Sequence, residues 1–273
     1  MIRVLKVSKS GFYDWRKKDK SSQENKKLKL VRTIEDIHKA SRGCYGSPRV
    51  FEQLKGLGFS ITKSTLERLM RENNIKAKTK KRFKITTQSK HKFQIAENLI
   101  NQNFNVTSPN KVWAVDISYI PTGEGWVFLS VVIDLFSRTV VGWGLSEKIT
   151  KELALNALTM AYFKRKPPPG LIHHSDRGVQ YACHEYQKLL KSYKMICSMS
   201  RKANCYDNAV VESFFHTLKT EFIYHENFQT REEAKRKIFE WIEVFYNRKR
   251  LHSTLNYKNP VDFEMEYFKV CMA

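Results

Sequence analysis

The chain has 273 residues, 41% of them hydrophobic and 12% aromatic, which is enough for one large or two small domains with a hydrophobic core. Its formal net charge of +22 is unevenly distributed: residues 1–106 carry 26 Lys and Arg against 9 Asp and Glu (+17), and residues 107–273 carry 23 against 18 (+5). This asymmetry favours a nucleic-acid partner over a membrane or heparin, with a merely solvated basic face as the alternative.

No segment has the composition of a membrane span, because the most apolar stretch, residues 126–145, contains Asp134 and Arg138 and is rich in β-branched residues. The N-terminus lacks the long apolar core and the small-residue cleavage site of a signal peptide. The five cysteines are odd in number and include no CxxC pair, which favours reduced thiols over disulfides or a zinc site. These features predict a cytoplasmic protein that does not contact a membrane.

Residues 1–27 predict a short helix followed by a polar, Lys-rich linker. Ser8 or Ser10 could cap this helix at its N-terminus. The helix is either the end of a helix-turn-helix or an isolated amphipathic helix, and the sequence alone does not separate these two interpretations.

Residues 28–92 predict an all-α helix-turn-helix region with a basic extension. One helix is followed by a pair of helices that a glycine-containing turn separates. Ser47 is expected to cap the first helix of the pair, with Pro48 at its first position. Ser64 and Glu67 are expected to form a capping box on the second. Such helix pairs bind DNA in many proteins, although they also occur in proteins that do not bind it.

The basic extension, residues 75–92, holds eight Lys and Arg residues and no acid. This composition suits non-specific, salt-sensitive contacts with DNA phosphates, although a solvated linker has the same composition. The basic residues of residues 28–92 that we predict to contact DNA are Arg49, Lys63, Arg68, Lys80, Lys81 and Arg82. A linker over residues 93–106 follows.

Residues 107–225 predict a core with the element order β-β-β-α-β-α-β-α, and residues 226–273 predict a C-terminal helical tail. Asp116 lies in the middle of the first strand and points away from the face of its apolar neighbours. Asp176 follows the fourth strand, and Glu212 lies on the last helix of the core. Three acids from separate elements could therefore meet at one edge of the sheet.

Carboxylates in this arrangement predict a metal site for phosphodiester chemistry. Mg²⁺ prefers oxygen ligands, and a pair of such ions activates the nucleophile and stabilises the leaving oxygen. A charged group inside an apolar strand must be paired or ligating, which favours Asp116, but Asp134 shares that property and is its main rival. Asp176, taken alone, could be an ordinary turn aspartate.

The helix that carries Glu212 places its large apolar residues in one stripe. These are Val211, Phe214, Phe215, Leu218 and Phe222. Asn208, Glu212 and Lys219 form a row beside that stripe, at the border between core and solvent. This row predicts that Glu212 reaches a cleft and that Lys219 and Asn208 contact DNA. A solvated Glu212 paired with Lys219 or His216 is the alternative.

The runs WAVDISYI, HHSDRGVQY and SMSRKANCYDNAVVESFFHTLK, with 35 residues between the last two acids, resemble the DDE catalytic core of retroviral integrases and many bacterial transposases. YGSPRV and the closing YNRKRLHSTLNYKNPVDF narrow the resemblance to OrfB-type transposases of the IS-three family of insertion sequences, over essentially the whole chain. The resemblance implies an α/β fold: an RNase H-like integrase core with a mixed five-stranded sheet flanked by helices, after the all-α helix-turn-helix region and before the helical tail.

The resemblance further implies that Asp116, Asp176 and Glu212 are the catalytic and metal-binding triad, with two Mg²⁺ or Mn²⁺ ions as cofactor. Lys219 matches the basic residue two turns after the glutamate. Ala203 stands where the motif usually has Gly, a change in a loop that we expect to be tolerated.

The expected partners are the DNA of transposon ends and target, and further copies of the chain. An OrfA-type first-frame protein is also expected, as partner or as part of a fusion, because it carries the complete helix-turn-helix and coiled coil of the family's active enzyme. The implied location is the bacterial cytoplasm, at the nucleoid when DNA is bound.

We therefore predict a DNA transposase that catalyses metal-dependent 3′-end cleavage and strand transfer of an insertion sequence. Two alternatives remain open from the sequence. An RNase H-like nuclease would use the same carboxylates for hydrolysis only. A non-catalytic DNA-binding accessory protein of a mobile element would rely on the basic N-terminal half.

Overall fold

The computed structural model describes residues 8–17, 22–78, 93–202 and 204–272. The chain divides into two compact units, Met1–Ala77 and Lys78–Ala273, and each is described by itself. Among the described helices, none combines the length and the apolar character needed to cross a membrane.

The first unit is all-α, and its second to fourth helices pack around a small core. The helices are α1 (Lys9–Lys17), α2 (Ser22–Ala40), α3 (Ser47–Gly56) and α4 (Lys63–Glu72). Its most deeply buried apolar residues are Ile34, Val50, Leu54, Leu66 and Leu69. The predicted helix-turn-helix pair corresponds to α3 and α4.

The caps of α1 and α3 differ in how well the sequence predicted them. Ser8 caps α1, because its hydroxyl oxygen accepts from the backbone N–H of Gly11 (3.0 Å). The predicted cap of α3 is wrong: the helix begins at Ser47 itself, and Gly46 occupies the cap position. The Ser47 hydroxyl instead donates to the Glu67 carboxylate (3.3 Å), which joins α3 to α4.

The capping box predicted for α4 is also wrong. Thr62 caps this helix, and its hydroxyl oxygen accepts from the backbone N–H of Thr65 (3.3 Å). Ser64 therefore already lies inside the helix, and Glu67 lies beyond the third helical position from which a capping box is made. Both errors displace the start of a helix by only one or two residues, a common uncertainty at helix ends.

The second unit contains a sheet of five strands, flanked by helices. The strands are β1 (Val112–Thr122), β2 (Gly125–Asp134), β3 (Val140–Ser146), β4 (Ile172–Ser175) and β5 (Ile196–Met199). The helices are α5 (Lys151–Arg165), α6 (Val179–Ala182), α7 (His184–Ser192), α8 (Ala209–Glu221), α9 (Arg231–Glu240) and α10 (Pro260–Met272). The predicted element order is confirmed, with α6 as one additional short turn of helix.

The sheet is mixed, with the strand order β3-β2-β1-β4-β5. β1, β2 and β3 form an antiparallel meander, whereas β4 and β5 run parallel to β1. β4 is short and pairs with β1 only as far as Ala114, which lies opposite His174. The rest of β1 extends beyond the end of β4, and Asp116 lies on this extension. The sheet and its helices confirm the predicted fold class.

The two faces of β1 contribute to two separate hydrophobic clusters. Ala114 and Ile120 pack in the cluster that includes α8 and α9, whereas Trp113 and Val115 pack in the cluster that includes α5, α6 and α7. Strand alternation therefore assigns Asp116 to the face on which α8 lies.

The C-terminal residues are built into the core of the second unit. Trp241, in a π-helical turn after α9, is fully buried in the cluster that includes α8. Glu264 of α10 is buried, and its carboxylate accepts from Ser137 Oγ (2.8 Å) and Arg165 (2.6 Å). These contacts attach α10 to the turn between β2 and β3 and to the end of α5. The domain boundaries drawn from the sequence stay predictions.

Candidate active site

Asp116 lies on the central strand of the sheet, where β1 extends beyond its parallel neighbour. The residue is half-buried and lies opposite Val131 of β2. Its Oδ1 accepts from the backbone N–H of Ile117 (2.7 Å). β-Branched and aromatic residues flank Asp116 in the sequence and favour a strand at this position. Pairing within the sheet therefore holds the backbone of Asp116 on one side.

Asp176 follows β4 directly, and the parallel register brings it to the level of Asp116. His174 lies opposite Ala114, and each of the two aspartates follows two residues later in its own segment. Asp176 Oδ1 accepts from the backbone N–H of Gly178 (2.9 Å), which forms the tight turn into α6. A Cβ on Gly178 would lie 2.4 Å from Gln180 Nε2 and 2.9 Å from Asp176 Oδ1, so a larger residue here would displace both side chains. Asp176 is thus a turn residue and a neighbour of Asp116 at the same time.

Glu212 lies in the first turn of α8 and is half-buried. The predicted apolar stripe of this helix is confirmed, since all five of its residues are buried in one cluster. α8 begins beside β1: the Asn208 side-chain Nδ2 donates to the carbonyl of Val115 (3.1 Å), next to Asp116. Glu212, which was predicted to lie at the border between core and solvent, is therefore on the side of α8 that faces the sheet near Asp116.

The three carboxylates influence one another electrostatically. Burial raises the pKa of Asp116 well above its ordinary value, and the charges of Asp176 and Glu212 raise it further. The hydrogen bond from Ile117 and the charge of Lys219 oppose this rise. Burial also raises the pKa of Glu212. The site therefore concentrates negative charge that the surrounding protein neutralises only in part.

The donor set is suited to a hard divalent cation. All three acids offer oxygen ligands, which Mg²⁺ and Mn²⁺ prefer, and a bound cation would relieve the repulsion that raises the pKa of Asp116. In the part of the chain that the structure describes, no three His, Cys, Asp or Glu side chains lie close enough together to hold a metal ion as they are placed.

Asn208 and Lys219 both lie beside this site but are buried rather than open to solvent. Asn208 is 5% exposed and is held by its bond to Val115. Lys219 is 4% exposed, and its Nζ lies 4.6 Å from the centre of the Tyr119 ring. Burial lowers the pKa of Lys219 to about 8, against the opposing charge of Asp116. Contact of either side chain with DNA, predicted from the sequence, stays a prediction.

The other predicted DNA contacts belong to the first unit and its basic extension. The Arg49 guanidinium lies 5.5 Å from the centre of the Tyr45 ring. Lys63 and Arg68 are exposed on α4. Lys80, Lys81 and Arg82 lie outside the described residues, as does Ala203.

Asp134, the predicted rival of Asp116, has a structural role in this fold. It is fully buried at the end of β2, opposite Trp113. Its carboxylate accepts from the backbone N–H groups of Asn110 (2.7 Å) and Phe136 (2.9 Å) and from Trp113 Nε1 (3.3 Å). The Phe136 bond closes the turn that follows β2, and the other two join Asp134 to the beginning of β1 and the segment before it. Asp134 lies three register positions along the strand pair from Asp116, away from the other two acids.

The sequence did not single out Tyr181 and Asp207, which lie close to the acids. Tyr181 is buried on α6, and burial together with the charges of Asp116 and Asp176 raises its pKa well above the ordinary value. Asp207 is fully buried five residues before Glu212 and pairs with Arg201. The only sequence signal for either residue is its place inside the two acidic motifs.

Known protein families match separate regions of this chain. Residues 106–205 and 193–260 each match a family described as an integrase core domain, and residues 23–83 match an HTH-like domain. In a solved intasome of simian T-cell lymphotropic virus in complex with PP2A regulatory subunit B56 gamma, one chain aligns with a TM-score of 0.50 and 16% identity. That alignment covers 85% of this chain and 74% of the other, and it supports the fold alone. The match to the integrase core family identifies the class of protein as a polynucleotidyl transferase.

Two curated relatives cover nearly the full length. The insertion element IS600 uncharacterized 31 kDa protein of Shigella sonnei is 41% identical over 270 residues, 99% of each chain. The transposase InsF for insertion sequence IS3A of Escherichia coli (strain K12) is 41% identical over 266 residues, 97% of this chain and 92% of the relative. The chain belongs to the IS3 family of insertion-sequence DNA transposases.

Proposed function

We propose that Asp116, Asp176 and Glu212 are the catalytic carboxylates with which this transposase cleaves the 3′ ends of an insertion sequence and joins them to target DNA. The observation that carries this proposal is their convergence from three segments. The parallel register brings Asp176 level with Asp116, and the Asn208 bond to Val115 holds the start of α8 against the same stretch of β1.

The proposed cofactor is a pair of Mg²⁺ or Mn²⁺ ions. Asp116, Asp176 and Glu212 would hold these ions through their carboxylate oxygens. When bound, the ions activate the attacking oxygen and stabilise the leaving oxygen of the phosphodiester.

The chain's own residues position these ligands. The sheet fixes the backbone at Asp116, the Gly178 bond orients Asp176, and the buried stripe of α8 orients Glu212. Each side chain is thus held before substrate arrives, which reduces the entropy lost on reaching the reactive geometry.

The reaction is proposed to be two successive in-line displacements at phosphorus. In the first, a water oxygen forms a new P–O bond at the element's end while the bond to the 3′ oxygen breaks, and that oxygen leaves as a free 3′-OH. In the second, this 3′-OH forms a P–O bond with the target strand, and a target 3′ oxygen leaves. One phosphodiester is broken and one is formed in joining, so no covalent protein intermediate is needed.

The DNA partners are proposed to contact the basic surfaces of the chain. The helix-turn-helix unit, with Arg49, Lys63 and Arg68, and the basic extension with Lys80, Lys81 and Arg82, are the proposed contacts for the transposon ends. Synapsis of two ends requires further copies of the chain on DNA. An OrfA-type protein, as partner or fusion, and a location in the bacterial cytoplasm at the nucleoid complete the proposal.

The decisive experiment compares Asp116→Asn with Glu147→Gln in the full chain. Glu147 lies on the surface, with its side chain 55% exposed, and serves as the matched control. Labelled transposon-end DNA and a target plasmid are supplied with Mn²⁺, and cleaved and joined products are separated on gels. We expect Asp116→Asn to lose both activities while binding the end DNA as well as Glu147→Gln does.

Strand joining by Asp116→Asn would contradict the assignment. Shortened fragments without joined products from the unsubstituted chain would point to a nuclease. Metal-independent binding without cleavage under any condition would point to an accessory DNA-binding protein.

A further inference from the structure

A buried carboxylate lies at the start of the helix that carries Glu212. Asp207 is fully buried in a single 3₁₀ turn, Cys205–Asn208, that leads directly into α8. Its two oxygens accept from four donors, three of them on Arg201: the backbone N–H (2.8 Å), Nε (3.0 Å) and NH2 (2.7 Å). The fourth donor is Gln102 Nε2 (3.0 Å). We call Gln102, Arg201 and Asp207 the Asp207 clamp.

The Asp207 clamp joins two parts of the chain that are distant in the sequence. Gln102 belongs to the segment before β1, whereas Arg201 and Asp207 lie six residues apart in the loop between β5 and α8. The first part leads to β1, which holds Asp116, and the second leads into α8, which holds Glu212. The clamp is therefore positioned to set the distance between α8 and the sheet edge.

The Asp207 clamp also borders the segment that carries Asp176. The His174 ring, on the strand that leads to Asp176, bonds to Ser198 Oγ (2.8 Å) and Ser200 Oγ (3.2 Å), which fastens β4 to β5. Ser200 directly precedes Arg201 of the Asp207 clamp. The segment of Asp176 is thus connected, through Ser200, to the clamp at the start of the helix of Glu212.

We propose that Asp207 is a positioning residue for divalent-metal binding, which holds Glu212 within reach of Asp116 and Asp176 through the Asp207 clamp. This inference rests on the proposed function of the three acids. Glu212 lies in the first turn of α8, so a displacement of the preceding turn moves its carboxylate directly.

Asparagine is the sharpest substitution because it keeps the shape of Asp207. Asp207→Asn leaves one oxygen acceptor and introduces an NH₂ group that faces donors of Arg201 or Gln102. Both oxygens of the native carboxylate are fully used, so the amide cannot satisfy the same four donors. The turn must then shift or leave buried donors unsatisfied.

Glu221 supplies a matched control at the other end of the same helix. Its carboxylate accepts two hydrogen bonds from Arg250, from Nε (2.8 Å) and NH2 (2.7 Å), and Arg250 is only 5% exposed. Glu221→Gln therefore disrupts another Arg–carboxylate ion pair of α8, at the end farther from Glu212.

The experiment measures the thermal unfolding temperature of the full chain as Mn²⁺ is titrated. We expect Asp207→Asn to need about ten- to a hundredfold more Mn²⁺ for half-maximal stabilisation, the range typical of residues that support metal ligands. Glu221→Gln should lower the unfolding temperature and leave the half-maximal Mn²⁺ concentration unchanged. Half-saturating Mn²⁺ for strand joining should shift in parallel.

An unchanged half-maximal Mn²⁺ concentration in Asp207→Asn would overturn the inference, because Asp207 would then only support the fold. If Asp207→Asn does not fold, Gln102→Ala is tested in its place, because it removes one of the four hydrogen bonds to Asp207. An unchanged half-maximal Mn²⁺ concentration in Gln102→Ala would likewise overturn the proposal. If Mn²⁺ stabilises the unsubstituted chain and Asp116→Asn equally, the proposed metal site itself fails, a separate result.

Discussion

The carboxylate of Asp116 lies between two other acids and a buried lysine, on a strand whose remaining residues are mostly apolar. Burial and the nearby negative charges raise its pKa, so ionisation is less favourable in the folded chain than in the unfolded chain. In the absence of metal, the ionised Asp116 therefore destabilises the fold at neutral pH. Such a destabilising acid is consistent with the catalytic role proposed for Asp116.

We predict that Asp116→Asn unfolds at a higher temperature than the unsubstituted chain at pH 7 in the presence of a chelator. A rise of about 2–4 °C would correspond to roughly 1 kcal/mol for a protein of this size. Because the folded-state pKa is raised above the ordinary value of 3.8, stability from this group is fully present below that value and is lost as pH rises through the folded pKa.

The advantage of Asp116→Asn should thus be smallest near pH 4 and largest at neutral pH. Calorimetry at several pH values tests this, with Glu147→Gln as the control that should show no such trend. A lower unfolding temperature for Asp116→Asn at neutral pH would contradict the prediction.

At the scale of single elements, the C-terminal helix α10 carries a buried acid that bonds to other parts of the fold. Glu264 is 5% exposed and accepts from Arg165 (2.6 Å) and Ser137 (2.8 Å). On the same helix Glu266 pairs with Lys258 at the surface, with its side chain 54% exposed. The two glutamates therefore allow a buried and an exposed ion pair to be compared on one helix.

We predict that Glu264→Ala lowers the free energy of unfolding by about 1–3 kcal/mol, because it removes the acceptor of the buried Ser137 hydroxyl and of the partly buried Arg165. Glu266→Ala should change that free energy by less than about 1 kcal/mol, as is usual for exposed pairs. Urea titrations of the two variants measure the difference. Similar losses in both would show that α10 is not attached through Glu264.

At the scale of the whole molecule, we expect the concentration of basic residues in residues 1–106 to control the salt dependence of DNA binding. The excess of +17 in that region against +5 in the remainder predicts an affinity that falls steeply with salt. Phosphate contacts of this kind supply affinity and register, whereas sequence specificity needs base contacts.

We predict that replacing Lys80, Lys81 and Arg82 together by Ala lowers the slope of log affinity against log salt by up to about 2.7, roughly 0.9 for each phosphate contact. Fluorescence anisotropy with labelled end DNA measures the slope. The control replaces three exposed lysines of the α7 region, namely Lys188, Lys191 and Lys194, which carry the same charge. An equal loss of slope in both triple variants would assign no special role to the basic extension.

Local pattern was sufficient to predict much of this protein. Strand alternation and helical periodicity predicted the element order, the apolar stripe of α8 and the border position of Glu212, because these depend on side chains close in sequence. The three acids were identified because a charge in an apolar strand requires a partner and because their motifs resemble a known catalytic core. Helix caps were predicted less well, since several neighbouring Ser and Thr residues can serve.

Tertiary structure alone decided what surrounds each acid. Asp116 and Asp134 are equivalent in local sequence, yet the turn after β2 and the segment before β1 supply donors to Asp134, whereas the extension of β1 places Asp116 beside Asp176. Lys219 was expected at the border between core and solvent and is buried over Tyr119, a residue on another element. The contact of Asp207 with Gln102, 105 residues earlier in the chain, likewise forms only in the folded structure. The sequence by itself determined which chemical groups are available and on which face of an element each lies. Burial and electrostatic environment depend on packing between distant segments, which local periodicity does not encode.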